Sequence, residues 1–337
     1  MKTNSQAAKT LLQISNLKTH LFLSRGVVKA VDGVTFDVRE GETVGLVGES
    51  GSGKSMTGLS ILRLLPNIGA RVVDGSITID GVNILDLSEK EMAGEWRGRR
   101  ISMVSQDPLT SLNPLFTFGD QVGAPPRYHN LTSSRSELRA AVIDGLKRVS
   151  IPAVEDRFDA YPHQFSGGQR QRVVSAMALA CSPRLMIADE PTSSLDVTIQ
   201  VQMIDLYRRI QEGTGLGIIL ITHDLGTAAS ICKRIAVMYA GRIVEFGDVR
   251  TIFNNPRHPY TQALINSIPH LGQKKKRLYA LPGQPPSFID PPTGCRFAPR
   301  CTKKMTICET YPPDFISKTG HRTACWLEET KEQGNAA

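Results

Sequence analysis

Apolar positions along the chain follow two rhythms. "GVTFDVREGETVGLVG" (residues 33–48) alternates apolar and polar residues before it becomes continuously apolar. That pattern predicts an antiparallel sheet feeding a buried strand. "ETVGLVG" then runs through a glycine loop into "KSMTGLSILRLL" (54–65), whose apolar spacing is helical. "RISMVSQDP" (100–108) predicts another strand, ending in a polar, Pro-marked turn. Residues from about 108 to 180 lose the strand signal and predict helices, with loops such as "APPRYHNLTSS" (124–134). Strand character returns at "RLMIADEP" (184–191), "GIILITHD" (217–224) and "RIAVMYAGRIVEFGD" (234–248). Strands alternating with helices predict an α/β fold with a parallel sheet, the middle being a helical insertion.

Beyond about Asn255 the pattern changes. "HPYTQALINSIPHLGQKKKRLYALPGQPPSFIDPPTG" (258–294) is rich in Pro, Gly and Lys, and four of the six cysteines follow it. We expect a tail module joined to the body by an extended, loop-rich segment. "QKKKR" (273–277) reads as a solvated surface run.

Length and charge narrow the picture only a little. A chain of 337 residues suggests two domains, one with a substantial core. The net charge of +8 suits an anionic partner, whether nucleotide, nucleic acid or membrane surface, without choosing among them. No apolar run approaches the roughly 18 residues that span a bilayer, and "MKTNSQAAKTLL" carries no signal-peptide pattern. We therefore expect a cytosolic protein whose membrane association is peripheral.

The chemistry begins at "GESGSGKS", residues Gly48, Glu49, Ser50, Gly51, Ser52, Gly53, Lys54 and Ser55. It matches the phosphate-loop pattern and lies between a predicted strand and helix, as the mechanism requires. Glycines let backbone N–H groups close around phosphate oxygens. Lys54 supplies a point charge, and the Ser55 hydroxyl can ligate Mg²⁺. "RLMIADEP" places Asp189 and Glu190 at the end of a buried strand. Side chains alternate along strands, so Asp189 can face Mg²⁺ while Glu190 polarises an attacking water. Gln106 and His223 stand at two further strand ends, where phosphate sites collect in open α/β sheets. "FSGGQRQR" (165–172) is then a surplus: a second helix N-terminus suited to phosphate, far from the first.

In this order, the phosphate loop, Gln106, "FSGGQRQR", "LMIADE", "SSLD" (Ser193, Ser194, Leu195 and Asp196) and His223 resemble the ATPase subunit of ABC transporters. The match covers about residues 10–255, with a helical subdomain at about 108–180. The resemblance implies an ABC-type P-loop ATPase: a parallel sheet core, an antiparallel β subdomain and a helical subdomain. It implies ATP and Mg²⁺, the latter held by Ser55, Gln106 and Asp189, with Glu190, His223 and Gln106 serving hydrolysis. It also implies head-to-tail pairing of two ATPase subunits, so that Ser166, Gly167, Gly168 and Gln169 serve the partner's ATP. Asp196 would couple the two sites. The family stacks adenine on an aromatic residue; here Phe22 is favoured over His20, with a core role for Phe22 as the alternative.

"ISMVSQDPLTSLNP", "YPHQFSGGQRQR", "VMYAGRIVEFG", "HPYTQALINSIP" and the cysteine tail resemble the oligopeptide/dipeptide (peptide/nickel) importer ATPases. That resemblance implies a paralogous second ATPase chain, two transmembrane permease subunits and an extracytoplasmic solute-binding protein, with this chain at the cytoplasmic face of the membrane. The tail would occupy residues 256–337. Its Cys295, Cys301, Cys308 and Cys325 have spacing C-x5-C-x6-C-x16-C, which lacks the tight pairs usual for zinc. A cytosolic location disfavours disulfides. Four thiolates suit a [4Fe–4S] cluster, which members of that family can carry; zinc and unliganded thiols are the alternatives. Cys181 and Cys232 read as small core residues. A soluble ABC-type ATPase acting on nucleic acid is the rival reading, but the chain has neither a long coiled-coil insertion nor two cassettes. A small-molecule kinase would leave "SGGQ" unexplained.

Overall fold

The computed structural model of the chain describes residues 9–268 and 281–329. "QKKKR" and the chain's first eight residues lie outside them. From the N-terminus, β1 (Thr10–Leu23), β2 (Gly26–Arg39) and β3 (Thr43–Val47) precede α1 (Lys54–Leu62). β4 (Ala70–Ile79), β5 (Val82–Asn83), the short α2 (Glu89–Glu91) and β6 (Ile101–Val104) follow. Five helices come next without an intervening strand: α3 (Pro108–Ser111), α4 (Phe118–Tyr128), α5 (Arg135–Arg148), α6 (Val154–Arg157) and α7 (Gly167–Leu179). Then β7 (Leu185–Asp189), α8 (Val197–Thr214), β8 (Gly217–Thr222) and α9 (Leu225–Ile231) alternate. β9 (Arg234–Tyr239) and β10 (Arg242–Asp248) lead to α10 (Val249–Asn254) and α11 (Pro259–Asn266). The tail adds β11 (Phe315–Ile316) and β12 (Arg322–Thr323).

The chain divides into two compact units. The first takes residues up to 11, 38–42 and 79–220; the second takes 12–37, 43–78 and 221 onward. In the first unit β6 and β7 pair in parallel, Ile101 opposite Leu185 through Val104 opposite Ala188. Every residue of β7 is buried, as a strand covered on both faces requires. Helices α3 to α7 form the anticipated helical stretch. One loop expectation fails: Ala124–Tyr128 of "APPRYHNLTSS" belongs to α4, with Pro125 and Pro126 inside it. Proline there removes helical N–H donors. The turn is held by the buried Phe118, Val122 and Pro126 side and by the His129 N–H donating to the Pro125 carbonyl at 3.0 Å.

In the second unit β1 and β2 are neighbours joined by two residues, which makes them an antiparallel hairpin. Val34, Phe36 and Val38 are buried between less buried neighbours, the alternation seen in the sequence. β4 pairs beside β1, and a second set of the unit's strands runs in the order β11-β12-β10-β9-β3. β3 and β9 are parallel, whereas β9–β10 and β10–β12 are antiparallel. β12 therefore extends the unit's own sheet, and the boundary expected at 255/256 falls inside this unit. Arg296, 4% exposed, binds the buried Asp32 on β2 and donates to the Ala240 carbonyl, tying the tail to these strands.

Candidate functional site

The second unit holds the phosphate loop. The fully buried β3 ends at Val47, and α1 starts at Lys54 after the N-cap Gly53. Gly53 has φ +107°, and a Cβ there would stand 2.3 Å from the Ala30 carbonyl oxygen. Only glycine fits that position. Lys54 is 5% exposed, and its Nζ donates to the Gly48 and Glu49 carbonyls at 2.8 and 2.9 Å. A cation is thus fixed beside a helix N-terminus, the arrangement that receives an anion. The Ser52 carbonyl accepts from Gly241 N–H at 2.8 Å, anchoring the loop to the β9–β10 turn. Ser50, Gly51 and Ser55 are exposed.

Phe22 and His223 also belong to this unit. Phe22 is 38% exposed, and the Arg71 guanidinium lies 4.1 Å from its ring centroid, so one face of the ring is covered. His20 faces Asp32 at 3.9 Å. Burial lowers its pKa against the pull of that carboxylate. His223 is exposed between β8 and α9, whose N-terminus Asp224 caps by accepting from Gly226 N–H at 2.8 Å.

The first unit carries the acidic and signature residues. Asp189 ends β7 and is 6% exposed. Glu190 takes a left-handed conformation, φ +45°, which costs a non-glycine residue on the order of 1 kcal/mol. Glu190 thus leaves the strand through a turn rather than continuing its alternation. Ser193 stabilises that turn, its N–H and hydroxyl both donating to the Glu190 carbonyl at 3.2 and 3.1 Å. Gln106 Nε2 reaches Glu190 Oε2 at 3.5 Å, so the structure brings together two residues 84 apart in the chain.

Ser166 caps α7. Its hydroxyl accepts from Gln169 N–H at 3.3 Å, and Gln169 Oε1 accepts from Ser166 N–H at 3.2 Å. This is a capping box. Ser166 and Gly167 are exposed at the helix N-terminus. Asp196 caps the neighbouring α8, accepting from Ile199 N–H at 3.0 Å. The two helix starts touch: a Cβ on Gly168 would lie 2.7 Å from Ile199 Cγ2, and one on Gly167 would lie 3.9 Å from Leu195. The signature and the Ser193–Asp196 turn thus form one surface.

Two residues at the phosphate loop escaped the sequence reading. Arg300 grips the Glu49 carboxylate at 2.7 and 3.0 Å, and the Tyr260 hydroxyl accepts from Glu49 N–H at 2.9 Å. Their one signal was the motif "HPYTQAL", which contains Tyr260. Its first three residues now have structural roles. His258 Nδ1 accepts from Tyr260 N–H at 3.0 Å as the N-cap of α11, Pro259 opens the helix, and Tyr260 reaches the loop.

Cys295, Cys301, Cys308 and Cys325 line one small, largely apolar cavity. Its volume is about 10 Å³, roughly the room for one water. Burial raises the Cys295 and Cys301 thiols above their ordinary pKa and pushes Cys325 up to about 12. Among the described residues no three His, Cys, Asp or Glu side chains converge to hold a metal ion. The zinc expectation is therefore not met, since a single ion needs its thiolates about 2.3 Å away on all sides. The [4Fe–4S] expectation goes unsupported on the same ground. Cys232 is a buried core residue as expected, while Cys181 is only half buried.

Among the described residues no helix is long and apolar enough to cross a membrane. Residues 31–193 match the "ABC transporter" family model, and 244–308 match "Oligopeptide/dipeptide transporter, C-terminal region". The dipeptide transport ATP-binding protein DppD of Bacillus subtilis is 46% identical over 96% of both chains. The oligopeptide transport ATP-binding protein OppD of Salmonella typhimurium is 43% identical over 95% of both. Among solved structures, the post-hydrolysis dimer of the ATP-binding cassette MJ0796 bound to ADP and Pi is 28% identical, with a TM-score of 0.63. It covers 71% of this chain and 99% of that one. CbiO1 of Clostridium perfringens, part of an ABC transporter complex, gives the same TM-score over 73% and 92%. Nothing in these relatives favours action on nucleic acid. With both family regions present and near-full-length relatives at 43% and 46% identity, the chain belongs to the ABC transporter ATPases, in the branch that carries the oligopeptide/dipeptide transporter C-terminal region.

Proposed function

We propose that this chain hydrolyses ATP to drive import of peptides or a related small solute, as a peripheral subunit at the cytoplasmic face of a membrane. It would work with a second, paralogous ATPase, two permease subunits and an extracytoplasmic binding protein. The observation that carries the reading is that one chain presents two anion-ready helix N-termini, α1 behind Lys54 and α7 behind the capped Ser166. The ATPase domain would span 10–255 and the tail 256–337.

ATP phosphates would lie on Gly48–Ser55, with Phe22 against adenine on the face that Arg71 leaves open. Ser55, Gln106 and Asp189 offer the oxygen donors that Mg²⁺ prefers, and the ion would supply charge neutralisation at the phosphates. Glu190, turned off β7 and held near Gln106, orients the attacking water and takes up its proton as the γ-phosphate leaves. His223 contacts the γ-phosphate. Ser166, Gly167 and Gly168 bind the ATP of the second subunit, so opening and closing of the pair is the two-state element that the permeases read. Asp196 beside them couples the two sites.

For the tail we propose an iron–sulfur cluster over zinc, on donor chemistry alone: a four-iron cluster takes one thiolate per iron. The catalytic reading is tested by Glu190→Gln in the assembled transporter. ATP binding should persist while turnover falls at least about 100-fold, the scale of a lost general base. Unchanged hydrolysis would remove Glu190 from that role.

A further inference from the structure

Glu49 places a carboxylate inside the phosphate loop, where a triphosphate would meet a like charge. The tail meets this problem directly. Arg300 binds Glu49 in bidentate fashion, Nη1 to Oε2 at 2.7 Å and Nη2 to Oε1 at 3.0 Å. Its side chain is only 5% exposed. The guanidinium is itself fixed: Nε donates to the Pro282 carbonyl at 2.9 Å, and Nη1 also donates to the Tyr239 hydroxyl at 3.2 Å. Tyr260, fully buried, accepts the Glu49 backbone N–H. Tyr239, Tyr260 and Phe297 pack with ring centroids 4.6 to 5.5 Å apart, so both tail groups rest on a rigid aromatic platform.

A planar fork on a carboxylate is a strong and directional pair. Here it does two things at once: it cancels a negative charge beside the phosphate position, and it fixes the backbone where the loop leaves β3. We infer that Arg300 and Tyr260 are positioning residues of the ATP site, acting through Glu49, so that the tail is a working part of nucleotide binding. This rests on Gly48–Ser55 being the ATP loop. Linkage then runs both ways, and bound ATP must tighten the tail segment that carries Arg300.

The test measures ATP KM and kcat in the assembled transporter for Arg300→Ala, Glu49→Gln, the double variant and Tyr260→Phe. Arg300→Ala should raise KM about tenfold, equivalent to about 1.4 kcal/mol, with kcat within about twofold. The double variant should recover most of that loss, because the uncancelled charge is gone. A purely structural role would leave the double variant as poor as the single one. Tyr260→Phe should raise KM about threefold, the size of one neutral hydrogen bond. If Arg300→Ala does not fold, Arg300→Lys carries the test, since it keeps the charge but loses the fork; about threefold is expected. An unchanged KM in the Arg300 variants, or no recovery in the double variant, overturns the inference. Lys54→Ala separates the two readings. If it leaves ATP binding intact, the loop assignment itself has failed; if it abolishes binding while the Arg300 variants are silent, only the present inference falls.

Discussion

Replacing His258 by Asn should flatten the acid limb of the stability curve. His258 is 1% exposed, and burial holds its pKa near 4 rather than 6.5, against the opposing pull of Glu245. The folded state therefore keeps the ring neutral at pH values where the unfolded chain has already protonated it. Stability from this group is complete above about 6.5 and falls as pH drops toward 4. The interval of 2.5 units corresponds to about 3 kcal/mol, at 1.36 kcal/mol per unit. Asn is as good an N-cap as the chemistry offers, so His258→Asn keeps the acceptor for Tyr260 N–H and removes only the titration. Any packing loss is independent of pH and drops out of the comparison. Glu245, with His321 bonded to it at 2.7 Å, stays in both proteins, as do the other carboxylates. The assay is urea unfolding from pH 7 to 4 in a Trp96→Phe background, where Trp326 in the tail is the sole tryptophan reporter. The wild type should lose about 3 kcal/mol more than the variant over that range. Parallel curves would refute the buried, neutral assignment.

Two further outcomes follow from the site. Ser166→Asp keeps an excellent N-cap for α7 but places a carboxylate where a partner's γ-phosphate would arrive. ATP affinity of the isolated chain should stay within about twofold, while ATP-driven association with the second ATPase weakens at least about tenfold. A severalfold change in the isolated chain would show that Ser166 serves its own nucleotide. For the tail, anaerobically purified protein should contain about four irons per chain, and Cys301→Ser should lose them. Stoichiometric zinc, or four free thiols without metal, would end the cluster reading.

The division between what could be read and what could not follows how far each interaction reaches along the chain. The phosphate loop, the helix N-terminus at Ser166–Gly168, and the fully buried β3, β7 and β8 were legible, because each is made by neighbours within a few residues. Local backbone chemistry and short apolar runs mark such elements without reference to distant contacts. The left-handed turn at Glu190 was not legible, since strand alternation offers a simpler way to point adjacent carboxylates apart. Nor was the helical state of Ala124–Tyr128, where packing of one face overrides the cost of two prolines. The tail shows the limit most clearly. Its composition reads as a separate module, yet β12 pairs with β10, and Arg300 meets Glu49 across 251 positions. A salt bridge of that span leaves no periodicity or spacing in the sequence. It exists because the hairpin β9–β10 carries the loop's anchor at Gly241 and the sheet that β12 joins, and only the folded sheet brings the two together.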